Sequence, residues 1–296
     1  MTLFEAVVLG VIQGVFMFFP VSSTSHLVLA QHWMIARGSE MPAPESAEMI
    51  FFDLVVHVGT LVSMAVVFRK PLTHFLTSLL AGLPSGWRAP GPEGDRQRLS
   101  FKLALLGVLA VGLTGAIGFP LKGLFEEVFA RPQFIAGTLT LTGILLWWTD
   151  VLPRRTRGLR KIGPGTAAAV GIGQALALLP GLSRSGTTIA FGLFAGMKRK
   201  WAAQFSFFIA FPTILGATFL QGLELMQLEG AAQVGLLPLA TGFVVAAVVG
   251  IGALKVVLHL LYRARFRFFS WYVWALAAFI LVGMNRGWLT GVGWGG

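Results

Sequence analysis

The chain has 296 residues, of which 55% are hydrophobic and only 12% charged, with a mean hydropathy of +0.77. A soluble domain carries about 25% charged residues, so this composition excludes a water-soluble globule and indicates an all-α integral membrane protein. The formal charge of +11 is spread over short loops between apolar runs, the pattern of membrane topology rather than of a nucleic-acid partner, and the lack of cysteine excludes disulfides and thiolate sites.

The first apolar stretch, residues 3–30, is broken by Pro20 and the polar run Val21-Ser22-Ser23-Thr24-Ser25-His26. No basic segment precedes it and no small-residue cleavage site follows, so no cleavable signal peptide is expected. Spans of about 20 apolar residues are predicted over roughly 49–68, 101–119 and 133–152. Between the first two lies a Pro- and Gly-rich loop, 71–95, with a short interfacial helix expected at 72–83. A second interrupted stretch, 165–197, carries Pro180-Gly181-Leu182-Ser183-Arg184-Ser185-Gly186 at its break. Three further spans are predicted over 203–222, 236–260 and 268–285. The expected fold is therefore six transmembrane helices plus two re-entrant helical hairpins, in a single membrane domain covering 1–296.

Loop charge orients these elements. Four basic clusters fall on the cytoplasmic side by the positive-inside rule: Arg69 to Arg98, Arg154 to Lys161, Lys198 to Lys200, and Arg263 to Arg267. The remaining loops are poor in base; 31–48 sets Arg37 against Glu40, Glu45 and Glu48, and 223–235 holds only Glu224 and Glu229. The two sets alternate only if each interrupted stretch enters and leaves on one side, the first from the outer face and the second from the cytoplasmic face. Both termini then lie outside. Gly10-Val11-Ile12-Gln13 is echoed by Gly171-Ile172-Gly173-Gln174, each followed by an apolar run, a proline and a Ser-containing turn. The opposite senses make this an inverted repeat, about 1–125 and about 160–296, of the kind that places a site where the repeats meet.

The chemistry concentrates in the two breaks. An arginine at membrane depth costs about 2.5–3.5 kcal/mol on insertion scales, and the only acid in either interrupted stretch is Glu5, far from the turn. Arg184 therefore calls for an anionic ligand, to which its planar fork is suited if the anion is a phosphate, or else for burial against a ring of protein carbonyls. Ser183, Ser185, Thr187 and Thr188 add hydroxyls, and a helix starting there adds a favourable dipole. In the first break Ser22, Ser23, Thr24 and Ser25 run into His26. Ser23 and His26, three apart, share a helix face and have the spacing of a nucleophile and its base; helix capping is the competing use of such serines. Gln13 and Gln174 are amides inside apolar segments, able to contact a headgroup or to bond across helices. Asp53 and His57 lie one turn apart, fit to hold a cation, to relay a proton or to bond each other. His32, His74 and His259 carry no predicted role, and Trp147, Trp148, Trp271, Trp274 and Trp288 fit an aromatic belt.

These motifs resemble a known family. Gln13-Gly14 with Phe18-Phe19-Pro20-Val21-Ser22-Ser23-Thr24-Ser25-His26-Leu27, and Pro180-Gly181-Leu182-Ser183-Arg184-Ser185-Gly186-Thr187-Thr188, resemble the two signatures of the undecaprenyl-diphosphate phosphatases of the BacA or UppP type. Phe52-Asp53 through Leu61 and Phe205 through Pro212 also fit, so the resemblance covers nearly the whole chain. It implies hydrolysis of undecaprenyl (polyprenyl) diphosphate to the monophosphate in the bacterial inner membrane, recycling the carrier of cell-wall synthesis. Bacitracin resistance follows indirectly, because bacitracin sequesters the diphosphate. The resemblance implies Ser23, His26 and Arg184 as catalytic residues, sets Gln13 on the first position of the family's acidic element, and implies Mg²⁺ or Ca²⁺ as cofactor. From the residues themselves, the hydroxyls of Ser22, Thr24, Ser183, Ser185 and Thr187 and the amides of Gln13 and Gln174 are the substrate-binding candidates. Two positions depart from the pattern: Met17 stands where the family has a second motif glutamate, and Ser25 where it has glycine before the histidine. Asp53 is the candidate to supply the missing acid. The alternative reading is a catalytically impaired relative that moves or binds polyprenyl phosphate. Homo-oligomerisation is left open.

Overall fold

The computed structural model describes residues 1–44, 46–84, 89–121, 123, 132–225 and 235–286. Glu45, Glu229 and Trp288, named above, and Arg88 of the first basic cluster lie outside the described residues. Among the described residues the structure is helical: α1 Leu3–Phe16, α2 Ser23–Ala36, α3 Ala47–Val67, α4 Arg69–Gly82, α5 Gly91–Gly118, α6 Pro132–Val151, α7 Pro164–Leu176, α8 Arg184–Phe194, α9 Arg199–Leu225, α10 Leu236–Tyr262 and α11 Arg267–Asn285. Six of these, α3, α5, α6, α9, α10 and α11, are long and apolar enough to cross a bilayer. They match the six spans expected from hydropathy, and the chain is a multi-pass membrane protein. The interfacial helix expected at 72–83 is α4, which starts three residues earlier and packs on α5.

Both interrupted stretches fold as helix pairs broken at their polar turns. The members α1 and α2 have 14 residues each, α7 has 13 and α8 has 11. At about 1.5 Å per residue none exceeds about 21 Å, less than the roughly 30 Å hydrocarbon core. The apolar α1 has Gly10 and Gly14 against α10, where a Cβ on Gly14 would lie 2.9 Å from the Ala246 carbonyl. That close approach is the small-residue packing membrane helices use in the absence of a hydrophobic drive between them. The second pair does the same, with α7 packed along α5 and a Cβ on Gly171 falling 2.6 Å from the Ala110 carbonyl. Helices α3 and α9 touch each other, as do α6 and α11.

The basic clusters are drawn to one end. Arg157 N–H donates to the Gly196 carbonyl at 3.1 Å and Lys198 N–H to the Arg157 carbonyl at 3.0 Å. Lys102 Nζ donates to the Arg160 carbonyl at 3.1 Å. Asp150, at the end of α6, accepts the Arg267 N–H at 2.8 Å and faces the Arg199 guanidinium at 3.6 Å. Segments that are far apart in sequence and alike in charge thus share one face, held by backbone bonds and by one acid.

Candidate functional site

Each Ser-rich turn has its own scaffold. The second is gripped by α6: Thr142 Oγ1 donates to the Gly181 carbonyl at 3.0 Å and accepts the Ser183 N–H at 3.2 Å, while Thr138 Oγ1 donates to the Pro180 carbonyl. Gly181 has φ +89°, and a Cβ there would lie 2.1 Å from Thr138 Oγ1. The position accepts glycine because both the left-handed backbone and the contact forbid a side chain. Ser183 caps α8, its Oγ accepting the Gly186 N–H at 3.3 Å, which sets Arg184 as the first residue of that helix.

The first turn is under backbone tension. Ser22 has φ 68° and ψ 87° at the start of α2, a left-handed conformation that costs a non-glycine residue on the order of 1 kcal/mol or more. No side chain caps α2, so its first-turn N–H groups keep their donor capacity. Ser22 and Ser25 hydroxyls lie 3.1 Å apart. Ser25 takes ordinary helical backbone within α2, so this turn has no need of the glycine found in the family pattern.

The fold brings the two turns together. Ser185 Oγ donates to the Phe18 carbonyl at 3.3 Å, and a Cβ on Gly186 would lie 3.2 Å from Pro20 Cβ. At this junction the Arg184 Nη2 lies 4.0 Å from Met17 Sδ, and Gln13 Nε2 lies 3.6 Å from the same sulfur. A thioether is a weak acceptor, so neither donor is well satisfied. Arg184 Nη1, Gln13 Oε1 and Thr187 Oγ1 are buried without any partner. A cluster of orphaned polar atoms around a guanidinium, beside two helix N-termini and without a counter-charge, is built for an anion. Gln13, Met17, Arg184 and Thr187 compose its inner part, and Ser22, Ser23 and Thr24 the adjoining turn.

His26 is held from three sides. Its Nδ1 lies 2.8 Å from the Ser22 carbonyl and its Nε2 lies 2.7 Å from the Tyr272 hydroxyl. Phe16 stacks on the ring at 4.0 Å between centroids and 17°. Neither nitrogen bonds Ser23, so the serine–histidine hydrogen bond allowed by spacing is not formed in this state.

The other expected residues take other hydrogen-bond partners. Gln174 Nε2 donates to Thr114 Oγ1 at 3.1 Å and Thr213 Oγ1 at 3.0 Å, tying α7 to α5 and α9 rather than to either turn. Thr188 is taken up by the Arg184 carbonyl and by Ser206 Oγ. Asp53 Oδ1 accepts the Gln31 Nε2 at 3.0 Å, and His57 Nδ1 donates to the Asp53 backbone carbonyl at 2.7 Å, so the two side chains do not bond each other. Among the described residues no carboxylate lies within 4.0 Å of Arg184, and Asp53 therefore does not replace the missing acid by ion pairing. Nor is there, among them, any group of three His, Asp or Glu side chains placed for a metal ion. Mg²⁺ and Ca²⁺ require hard oxygen ligands; a thioether and a guanidinium at the junction do not fit a resident divalent cation. An apolar cavity of about 850 Å³, lined by Phe75, Phe208 and Phe211 among others between α4, α5 and α9, shares no residue with the two turns.

Sequence reasoning missed Thr138 and Thr142, which shape the second turn, and Tyr272. The threonines stand four apart in an apolar span, a polar stripe readable in principle. Nothing local connects Tyr272 to a histidine 246 positions away.

The family described as Bacitracin resistance protein BacA matches residues 6–279. The chain is 58% identical to an undecaprenyl-diphosphatase of Halorhodospira halophila over 283 residues, 96% of this chain and 98% of that protein. It is 56% identical to the one of Alkalilimnicola ehrlichii (96% and 97% covered) and 40% identical to the one of Desulfosudis oleivorans (95% and 98% covered). With a match over nearly its whole length and relatives this similar, the chain belongs to the BacA family.

Proposed function

We propose that the protein is an undecaprenyl-diphosphatase, releasing phosphate from a polyprenyl diphosphate to leave the lipid monophosphate. The observation that carries the reading is Arg184, a guanidinium with a buried, unpartnered Nη1 where two Ser-rich turns meet. The names of relatives at 56–58% identity supply the reaction. Arg184, Thr187 and the N–H groups opening α2 hold the diphosphate oxygens, and Ser22 and Thr24 line its approach. The fork of Arg184 stabilises charge gathering on the equatorial oxygens during transfer, the largest contribution a protein makes to phosphoryl chemistry.

His26 serves as the base. The Ser22 carbonyl can only accept, so Nδ1 carries the proton and the lone pair sits on Nε2. Ser23 is the nucleophile: its Oγ–H bond breaks with the proton passing to Nε2, an Oγ–P bond forms at the terminal phosphorus, and the anhydride P–O bond breaks. Lipid monophosphate leaves, and water then cleaves the phosphoserine to free phosphate and restore Ser23. Any Mg²⁺ or Ca²⁺ arrives on the diphosphate rather than in a protein site.

The two short helix pairs re-enter the bacterial inner membrane from opposite faces as halves of an inverted repeat, and both termini lie outside. The pairing of α1 with α10 and of α7 with α5 supports this arrangement, since a two-fold exchange of repeats generates such partners. The same exchange extends the first repeat through α6, whose partner is α11.

Phosphate release from undecaprenyl diphosphate by the purified protein tests the reading, comparing the native chain with Arg184→Ala and His26→Ala. Release by the native chain and its loss in both variants supports it. An inert native chain in detergent and in liposomes overturns it.

A further inference from the structure

The geometry points to Tyr272 as the positioning residue of His26: with the Ser22 carbonyl setting the Nδ1–H tautomer, its hydroxyl holds and aims Nε2. The inference rests on the reading of His26 as base. Tyr272 comes from α11, the last described helix, and lies 43% exposed, while its hydroxyl approaches Nε2 to 2.7 Å. The ring of Tyr272 runs nearly parallel to the imidazole, at 17° and 5.8 Å between centroids. With Phe16 stacked at 4.0 Å and the Ser22 carbonyl on Nδ1, the imidazole has no freedom to flip.

Hydrogen-bond roles follow from what each partner can do. The carbonyl takes the Nδ1 proton, so the neutral ring offers Nε2 only as an acceptor, and Tyr272 O–H must donate. Tyr272 thus occupies the one nitrogen that can accept a proton from Ser23. It keeps the lone pair directed. When substrate seats against the turns, the phenol yields Nε2 to the nucleophile and can afterwards accept a hydrogen bond from the imidazolium. For metal-bound imidazoles the partners that orient the ring are worth about 10–100-fold in affinity or activity, and a loss at the low end of that range is expected for Tyr272. The sequence has only two tyrosines, and Tyr262, the other, closes α10.

Tyr272→Phe keeps the ring and removes only the hydroxyl. In phosphate release from undecaprenyl diphosphate, the expected result is a fall in kcat of about 10-fold or more with KM unchanged within about twofold. In the His26→Ala background the same substitution is expected to leave the residual rate unchanged, because its effect passes through the imidazole. An independent readout is ¹⁵N NMR of the protein labelled at its five histidines, with His26→Ala assigning the signal. Nδ1 should appear protonated in the native chain, and the Nε2 resonance should move in Tyr272→Phe. An unchanged kcat with an unmoved Nε2 resonance overturns the inference. So does an equal loss in both backgrounds, or a rise in KM alone, which would place Tyr272 on the substrate instead. Should the native chain release no phosphate, the enzymatic reading fails, yet the resonances still decide whether Tyr272 holds His26.

Discussion

At the residue scale the junction of Arg184 and Met17 decides the character of the site. Removing one preorganised donor to developing oxyanion charge costs about 10²–10³ in rate, so Arg184→Ala should lower kcat/KM by that factor in the phosphate-release assay. Arg184→Lys, which has charge but no planar fork, should fall between the two. Met17→Glu is more informative. A carboxylate about 4 Å from the guanidinium attracts it by about 4 kcal/mol at an effective dielectric of 20, and it adds the hard oxygen ligand that the junction lacks. Mg²⁺ should leave the melting temperature of the native protein unchanged and raise that of Met17→Glu. A native melting temperature that climbs with Mg²⁺ would mean that the chain does carry its own cation ligands. Arg184 stood out in the sequence because a charge in an apolar run has no cheap explanation. The contact with Met17 did not, since it joins residues 167 positions apart.

At the element scale the second turn depends on α6. Thr142 both donates to the Gly181 carbonyl and accepts the Ser183 N–H. Thr142→Val keeps the shape but orphans two buried backbone groups, at about 1–3 kcal/mol each. Detergent-solubilised Thr142→Val should melt several degrees lower and release phosphate more slowly, and Thr142→Ser should restore both. Gly181→Ala should be at least as damaging, because the methyl meets Thr138 Oγ1 at 2.1 Å. The breaks themselves were legible in sequence: proline, glycine and serine runs interrupt apolar stretches, and the helices on either side stop where those residues begin. Which span would cradle each turn was not legible, because α6 offers only threonines in an apolar helix, and such threonines usually bond their own carbonyls.

At the scale of the whole molecule, charge organises one end. Asp150 gathers Arg199 and the start of α11, and Asp150→Ala would leave Arg199 without that partner. This substitution should lower the melting temperature while sparing KM, since Asp150 lies outside the two turns. The chain contains no cysteine, so single cysteines report topology without background. A cysteine replacing Arg157 should be labelled from the cytoplasmic side of intact cells' membranes, and one replacing Ser39 from the outside. Labelling of both from one side would overturn the assignment of the first helix pair to the outer face.

Composition and patterning by themselves determined that the chain is a membrane protein with six spans, and they located both polar breaks, because hydrocarbon tolerates neither unpaired backbone nor stray charge and leaves few other ways to write such a sequence. The motifs in those breaks also pointed to the family. What only the tertiary structure decided is how the breaks meet. It set Arg184 on a thioether rather than a carboxylate, gave Asp53 to Gln31 and Gln174 to two threonines, and turned His26 from Ser23 to Tyr272. Each of these is a contact between distant segments whose partners look alike in sequence, and among many similar hydroxyls and amides only packing geometry selects which pair comes within bonding distance.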